Sequence, residues 1–101
     1  MNEDFVLCSA NARNMKYYFN EDAYGILPKE IKEMLKIELV RYCSDAGGII
    51  ILYFDEGYRL HISTIDPIDE IGSELLIKRM REKNSGLFGQ LEEFAALYAK
   101  F

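Results

Sequence analysis

Two periodicities divide the chain. From Asp66 to Phe101 the apolar residues Ile77, Met80, Leu87, Leu91, Phe94, Tyr98 and Phe101 recur every three or four positions, with Asn84 the polar interruption. That spacing marks a coiled-coil seam or a bundle face. From Pro28 to Ala46 a second stripe, Ile31, Met34, Leu35, Leu39, Tyr42, Cys43 and Ala46, predicts a helix with one face on a sheet. Lys29, Lys32, Glu33, Lys36 and Arg41 lie mostly off that stripe. Pro28 suits a first-turn position, Gly47 a left-handed cap and Gly48 the turn into the next strand.

The remaining apolar runs are short. Phe5 to Cys8 and Met15 to Phe19, separated by the turn formers Ser9 to Asn14, predict a first hairpin, followed by a linker from Asn20 to Leu27. Ile49 to Phe54 and Tyr58 to Ile65, joined through Asp55-Glu56-Gly57, predict a second. A two-residue turn at Glu56-Gly57 would pair Phe54 with Arg59 and Leu52 with His61. The core face would then hold Ile49, Ile51, Tyr53, Leu60, Ile62 and Thr64. A three-residue loop would reverse the faces. Either way Ile49 to Leu52 are apolar on both sides, as in a central strand or one covered by a partner. The expected fold is a single α+β domain over residues 1–101. Two layers form it, an antiparallel sheet of two β-hairpins packed with two helices in the order ββαββα.

The last helix is the expected anomaly. Asp66 is placed to cap it before Pro67, and Asp69 and Glu70 suit its dipole. Unbroken from Pro67 to Phe101 it would run about 50 Å, roughly twice the size of a compact body of this length. An overhang would expose Leu87, Leu91, Phe94 and Tyr98 unless a second chain covered them. A break at Asn84-Ser85-Gly86 would instead fold the helix back, and Gly86 and Gly89 each cost about 1 kcal/mol in a helix interior. The phase running through Asn84 without a slip favours a continuous or merely kinked helix over residues 66–101. Ile77, Met80, Asn84, Leu87, Leu91, Phe94 and Tyr98 are then the expected homodimer interface. On that reading Leu91→Asp should give monomer or misfolded protein, whereas Glu92→Ala should change little.

Composition narrows the function. Half of the 101 residues are hydrophobic, seven are Tyr and the formal charge is -5. Disorder is disfavoured, and sequence-independent nucleic-acid binding lacks its basic surface. Met1-Asn2-Glu3-Asp4 is acidic where a secretory signal is basic, and no apolar run is long enough to span a membrane. A cytoplasmic protein is expected, with no nucleic-acid or membrane partner. Cys8 and Cys43 have no zinc-type spacing and read as inert thiols, so no metal and no cofactor is expected. Asp66, Asp69, Glu70 and Glu74 read as capping residues rather than a cation site. Lys78, Arg79, Arg81 and Lys83, interleaved with Glu74 and Glu82, read as a solvated helix face, with a phosphate-binding patch as the alternative. His61 stands alone, without a nucleophile motif, and no catalytic constellation is visible. An enzyme is not expected.

Several segments taken together resemble a small uncharacterised family of cytoplasmic proteins from clostridial Firmicutes. They are Val6-Leu7-Cys8, Lys16-Tyr17-Tyr18-Phe19-Asn20, Leu27-Pro28-Lys29-Glu30-Ile31, Leu35-Lys36-Ile37, Asp45-Ala46-Gly47-Gly48, Phe54-Asp55-Glu56 and Asp69-Glu70-Ile71-Gly72-Ser73. The resemblance implies one long C-terminal helix without glycines, a pattern from which Gly86 and Gly89 depart. It implies no catalytic or binding residue, since the family's function is unknown. Two expectations follow. The first is a non-enzymatic homodimeric interaction or adaptor module, whose partner is itself or another protein. The alternative is a small-ligand-binding regulatory protein with a pocket between sheet and helices near Arg59 and His61.

Overall fold

The computed structural model describes residues 5–20 and 27–98. The expectations for residues 1–4, for linker residues 21–26, for Phe101 and for the side chain of Tyr98 lie outside the described residues. The elements are β1 (Phe5–Asn11), β2 (Lys16–Phe19), α1 (Lys29–Ala46), β3 (Ile49–Phe54), β4 (Leu60–Ile65), α2 (Glu70–Lys83) and α3 (Ser85–Tyr98). The sheet is antiparallel in the order β2-β1-β3-β4. This is the expected α+β architecture of two hairpins, with the final helix in two pieces.

Local chemistry sets each turn. Between β1 and β2, Asn11 Oδ1 accepts the Arg13 N–H at 2.9 Å and Asn14 Oδ1 accepts that of Lys16 at 3.1 Å. A bulge between Val6 and Cys8 adds a residue to β1, so that Leu7 and Cys8 are both buried. After α1, Gly47 and Gly48 have φ of 70° and 73°. A Cβ on Gly48 would stand 2.6 Å from the Ile65 carbonyl oxygen, so that position excludes any side chain. Both glycines take a positive φ as expected, but Gly47, with ψ -171°, is extended at ψ rather than a left-handed helical cap.

The second hairpin takes the three-residue loop, which corrects the favoured register. Phe54 pairs with Leu60, Tyr53 with His61 and Leu52 with Ile62. The reason lies in Asp55, whose Oδ1 accepts the N–H groups of Gly57 (2.8 Å) and Arg59 (3.0 Å). The Tyr58 N–H donates to the Asp55 carbonyl at 3.0 Å, and Tyr58 takes the left-handed conformation, φ 62°. A turn closed by one left-handed residue is the usual three-residue hairpin loop. The core face of β3 is therefore Ile50, Leu52 and Phe54, and Ile49, Ile51 and Tyr53 point the other way.

One core joins the layers. Leu35, Leu39 and Tyr42 of α1 meet Leu7 and Cys8 of β1, Ile50 and Leu52 of β3, and Leu91 of α3. The buried Tyr42 hydroxyl lies 2.5 Å from Ser73 Oγ, tying α1 to α2. Beside it Glu38, nearly buried, pairs with Arg41 at 3.4 Å and Lys83 at 3.8 Å.

The C-terminal segment departs from expectation at the start of α2 and takes the kinked form at its end. The helix starts at Glu70 rather than Pro67, because Asp66 adopts φ 49° and forms an exposed pair with Arg13 (3.4 Å) instead of capping. It is interrupted at Asn84, with φ -112° and ψ 26°. There the Met80 carbonyl accepts both the Asn84 backbone N–H and its side-chain Nδ2, each at 3.0 Å. The Phe88 N–H then returns to the Asn84 carbonyl at 2.8 Å, so the chain kinks within a single residue. A straight helix from Glu70 to Tyr98 would exceed about 40 Å. The longest dimension of the molecule is 36 Å.

Candidate interaction face and ligand cleft

The kink settles where the apolar seam goes. Met80, Asn84, Leu87 and Leu91 are buried in the chain's own core, and Ile77 and Phe94 are half-buried against it. Those residues were the expected dimer interface, and they present no exposed stripe to a second chain. Folding α3 back against the sheet uses their apolar surface inside one molecule.

A different apolar surface stays uncovered. α1 packs on β1 and β3, and α3 on β4, against the face that carries Ile50, Leu52 and Phe54. On the opposite face β3 presents Ile49, Ile51 and Tyr53. They are flanked by Val6, Ser9 and Asn11 of β1 and by His61, Ser63 and Ile65 of β4. Tyr18 and Lys16 of β2 complete it. Every one of these residues is half-buried or exposed, and none is a carboxylate. The sequence signal was the unbroken apolar run Ile49 to Leu52. It placed β3 at the sheet centre but did not say which face would lack helices.

At the edge of this surface the hairpin is held by charge. His61 Nε2 donates to Asp55 Oδ2 at 2.7 Å, and the imidazole stacks on Tyr53 with centroids 5.3 Å apart and planes 19° from parallel. The His61 hydrogen bond, with the N–H groups of Arg59 and Gly57, holds the Asp55 carboxyl below its ordinary value.

A cleft opens between the start of β4 and the α2–α3 junction. It encloses about 410 Å³, and Arg59, His61, Arg81, Ser85, Gly89 and Glu92 line it together with Leu60 and Phe88. Arg59 and His61, the expected ligand residues, are thus brought together. Arg81, read as part of a solvated helix face, joins them from a position too distant in sequence to be foreseen. Glu92 corrects another expectation. Its Oε2 accepts the Leu60 N–H at 2.9 Å and lies 3.3 Å from Arg59 Nε. It therefore links α3 to the edge strand, and its removal is expected to cost stability.

Other candidates fall away on chemical grounds. Burial pushes the Cys8 thiol up to about 12 and raises that of Cys43, which leaves little thiolate for nucleophilic or metal chemistry. Among the described residues no group of three or more His, Cys, Asp or Glu is placed to hold a metal ion. Among the same residues no helix is long and apolar enough to cross a membrane. On the outer side of α1, Ile37 and Val40 are exposed, as are Ile71 and Leu75 on α2. Their three- and four-residue spacing off the core stripes was the available signal.

A family described as "Family of unknown function (DUF6145)" matches residues 4–100. No curated protein and no solved structure matches the chain.

Proposed function

The chain belongs to that family of unknown function, and we propose that it is a non-enzymatic, homodimeric interaction or adaptor module whose dimer face is the open side of the sheet. One observation carries the reading: β3 is apolar on both faces while the helices cover one. An antiparallel sheet that faces water ordinarily alternates apolar with polar residues. Here the outward positions of the central strand are Ile49, Ile51 and Tyr53.

Charge favours a second copy as the occupant. The chain carries -5 overall, yet this face has no carboxylate and its lysine, Lys16, sits on the edge strand β2. Two copies meet there without like charges at the centre. Strands about 4.8 Å apart and about 20 Å long give a face of about 400 Å² per copy. At about 800 Å² in total that is below a standard interface of about 1,200–2,000 Å², so a weak dimer in the high-micromolar range is expected.

The remainder of the reading is of a cytoplasmic protein from clostridial Firmicutes without nucleic-acid or membrane partners. The free thiols, the acidic balance and the family resemblance support it. The engagement of His61 with Asp55 and Tyr53 and the raised thiols support a non-catalytic role. Sedimentation equilibrium over the micromolar range tests the dimer. The wild type should associate and Ile51→Asp, on the outward face, should stay monomeric with an unchanged circular-dichroism spectrum. A wild type monomeric throughout would contradict the proposal.

A further inference from the structure

We infer that the cleft between β4 and the α2–α3 junction binds a small anionic molecule, with its phosphate or carboxylate group held between Arg59 and Arg81. The cleft shares only His61 with the sheet-face surface. Three observations converge. Two arginines, Arg59 and Arg81, line one cleft of about 410 Å³, within the range of about 300–1,000 Å³ typical of small-molecule sites. In a chain of net charge -5 such a convergence of cations is against the average.

The charges are also unequally used. Among the residues lining the cleft Glu92 is the one carboxylate, and it is committed to the Leu60 N–H and to Arg59 Nε. The Arg59 terminal nitrogens remain for a ligand. Among the described residues Arg81 has no ion-pair partner. Arginine's planar fork suits the oxygens of a phosphate or carboxylate, and the Ser85 hydroxyl on the same wall adds a neutral donor.

The third observation is Gly89. It lies inside α3, where glycine weakens a helix, and a Cβ placed on it would meet nothing within 4 Å. Packing inside the chain therefore does not require a glycine there. A bare backbone on the cleft wall leaves room for a ligand to approach closely.

The test uses amide chemical shifts of the full chain, titrated at constant ionic strength with inorganic phosphate and, separately, with citrate. Saturable shifts confined to Arg59, His61, Arg81, Ser85 and Gly89 are expected with at least one probe, and which probe binds more tightly separates phosphate from carboxylate ligands. Arg81→Gln, an exposed substitution, should weaken binding by about tenfold, as for loss of one charge-assisted hydrogen bond. Gly89→Leu should fill the cleft and abolish the saturable shifts while the remaining spectrum stays folded. The inference is overturned if neither probe gives saturable shifts at the cleft, if Arg81→Gln binds as the wild type does, or if the shifts spread equally over surface lysines such as Lys29 and Lys78.

Discussion

The C-terminal helical segment and β3 are both more apolar than a one-sided surface element needs, and they end differently. In the helical segment a kink at Asn84 swings Leu87, Leu91 and Ala95 into the core, so the long stripe closes on its own molecule. In β3 the side chains alternate, and burying Ile50, Leu52 and Phe54 forces Ile49, Ile51 and Tyr53 to the other side. A helix has one face to hide and can be bent to hide it. A strand apolar on both faces needs a second layer, which the described part of this chain does not supply.

Substitutions should separate the two regions sharply. Leu91→Ala empties a fully buried position and should cost about 2–5 kcal/mol in urea denaturation. Ile51→Ala, on the half-buried outward face, should cost under about 1 kcal/mol of protomer stability, being close to a surface substitution. Comparable losses at the two sites would erase the distinction. Next in size, Glu92→Ala should lose about 1–2 kcal/mol, since the Leu60 N–H gives up a partner. It should also speed hydrogen exchange of that amide, and an unchanged exchange rate would show the contact to be idle.

Gly89→Ala should act in the opposite direction, raising stability by up to about 1 kcal/mol, because the methyl enters open space and the helix gains propensity. A loss of stability there would mean that the glycine has a structural duty. The smallest effect concerns pH. The folded-state pKa of Asp55 lies below its ordinary value of 3.8, so its contribution is present above that value and fades as pH falls through the lower folded one. Acid titration of the wild type against Asp55→Asn should show the extra acid sensitivity in the wild type alone. Equal profiles would separate the hairpin's stability from this carboxylate.

Much of the fold was legible in the residues. The α1 stripe, the Gly47-Gly48 exit and the two hairpins followed from spacing and turn chemistry. The register of β3 and β4 did not, because a strand apolar on both sides lacks the alternation that marks a face. The choice between loop lengths rested with the side chain of Asp55 rather than with the Glu56-Gly57 pair. The kink at Asn84 fell where the sequence offered one, but spacing that continues in phase across it did not tell that the seam would close on its own core. Asp66-Pro67 had the signature of a helix start, yet the left-handed backbone of Asp66 delays α2 to Glu70. Of the residues lining the cleft, the sequence singled out Arg59 and His61 as a pair and Arg81 within a basic run, whereas Ser85 and Glu92 carried no signal, since only the bend between α2 and α3 brings these elements to β4.

The claim that the uncovered sheet face is the meeting surface of two copies is most directly tested by isotope-filtered NOE measurements. Labelled and unlabelled chains would be mixed at a concentration where the protein is dimeric. Contacts between copies are predicted among Ile49, Ile51 and Tyr53, with Val6 and Ile65 at the margins. Contacts running instead through Ile37 and Val40 of α1, or through Ile71 and Leu75 of α2, would contradict the account.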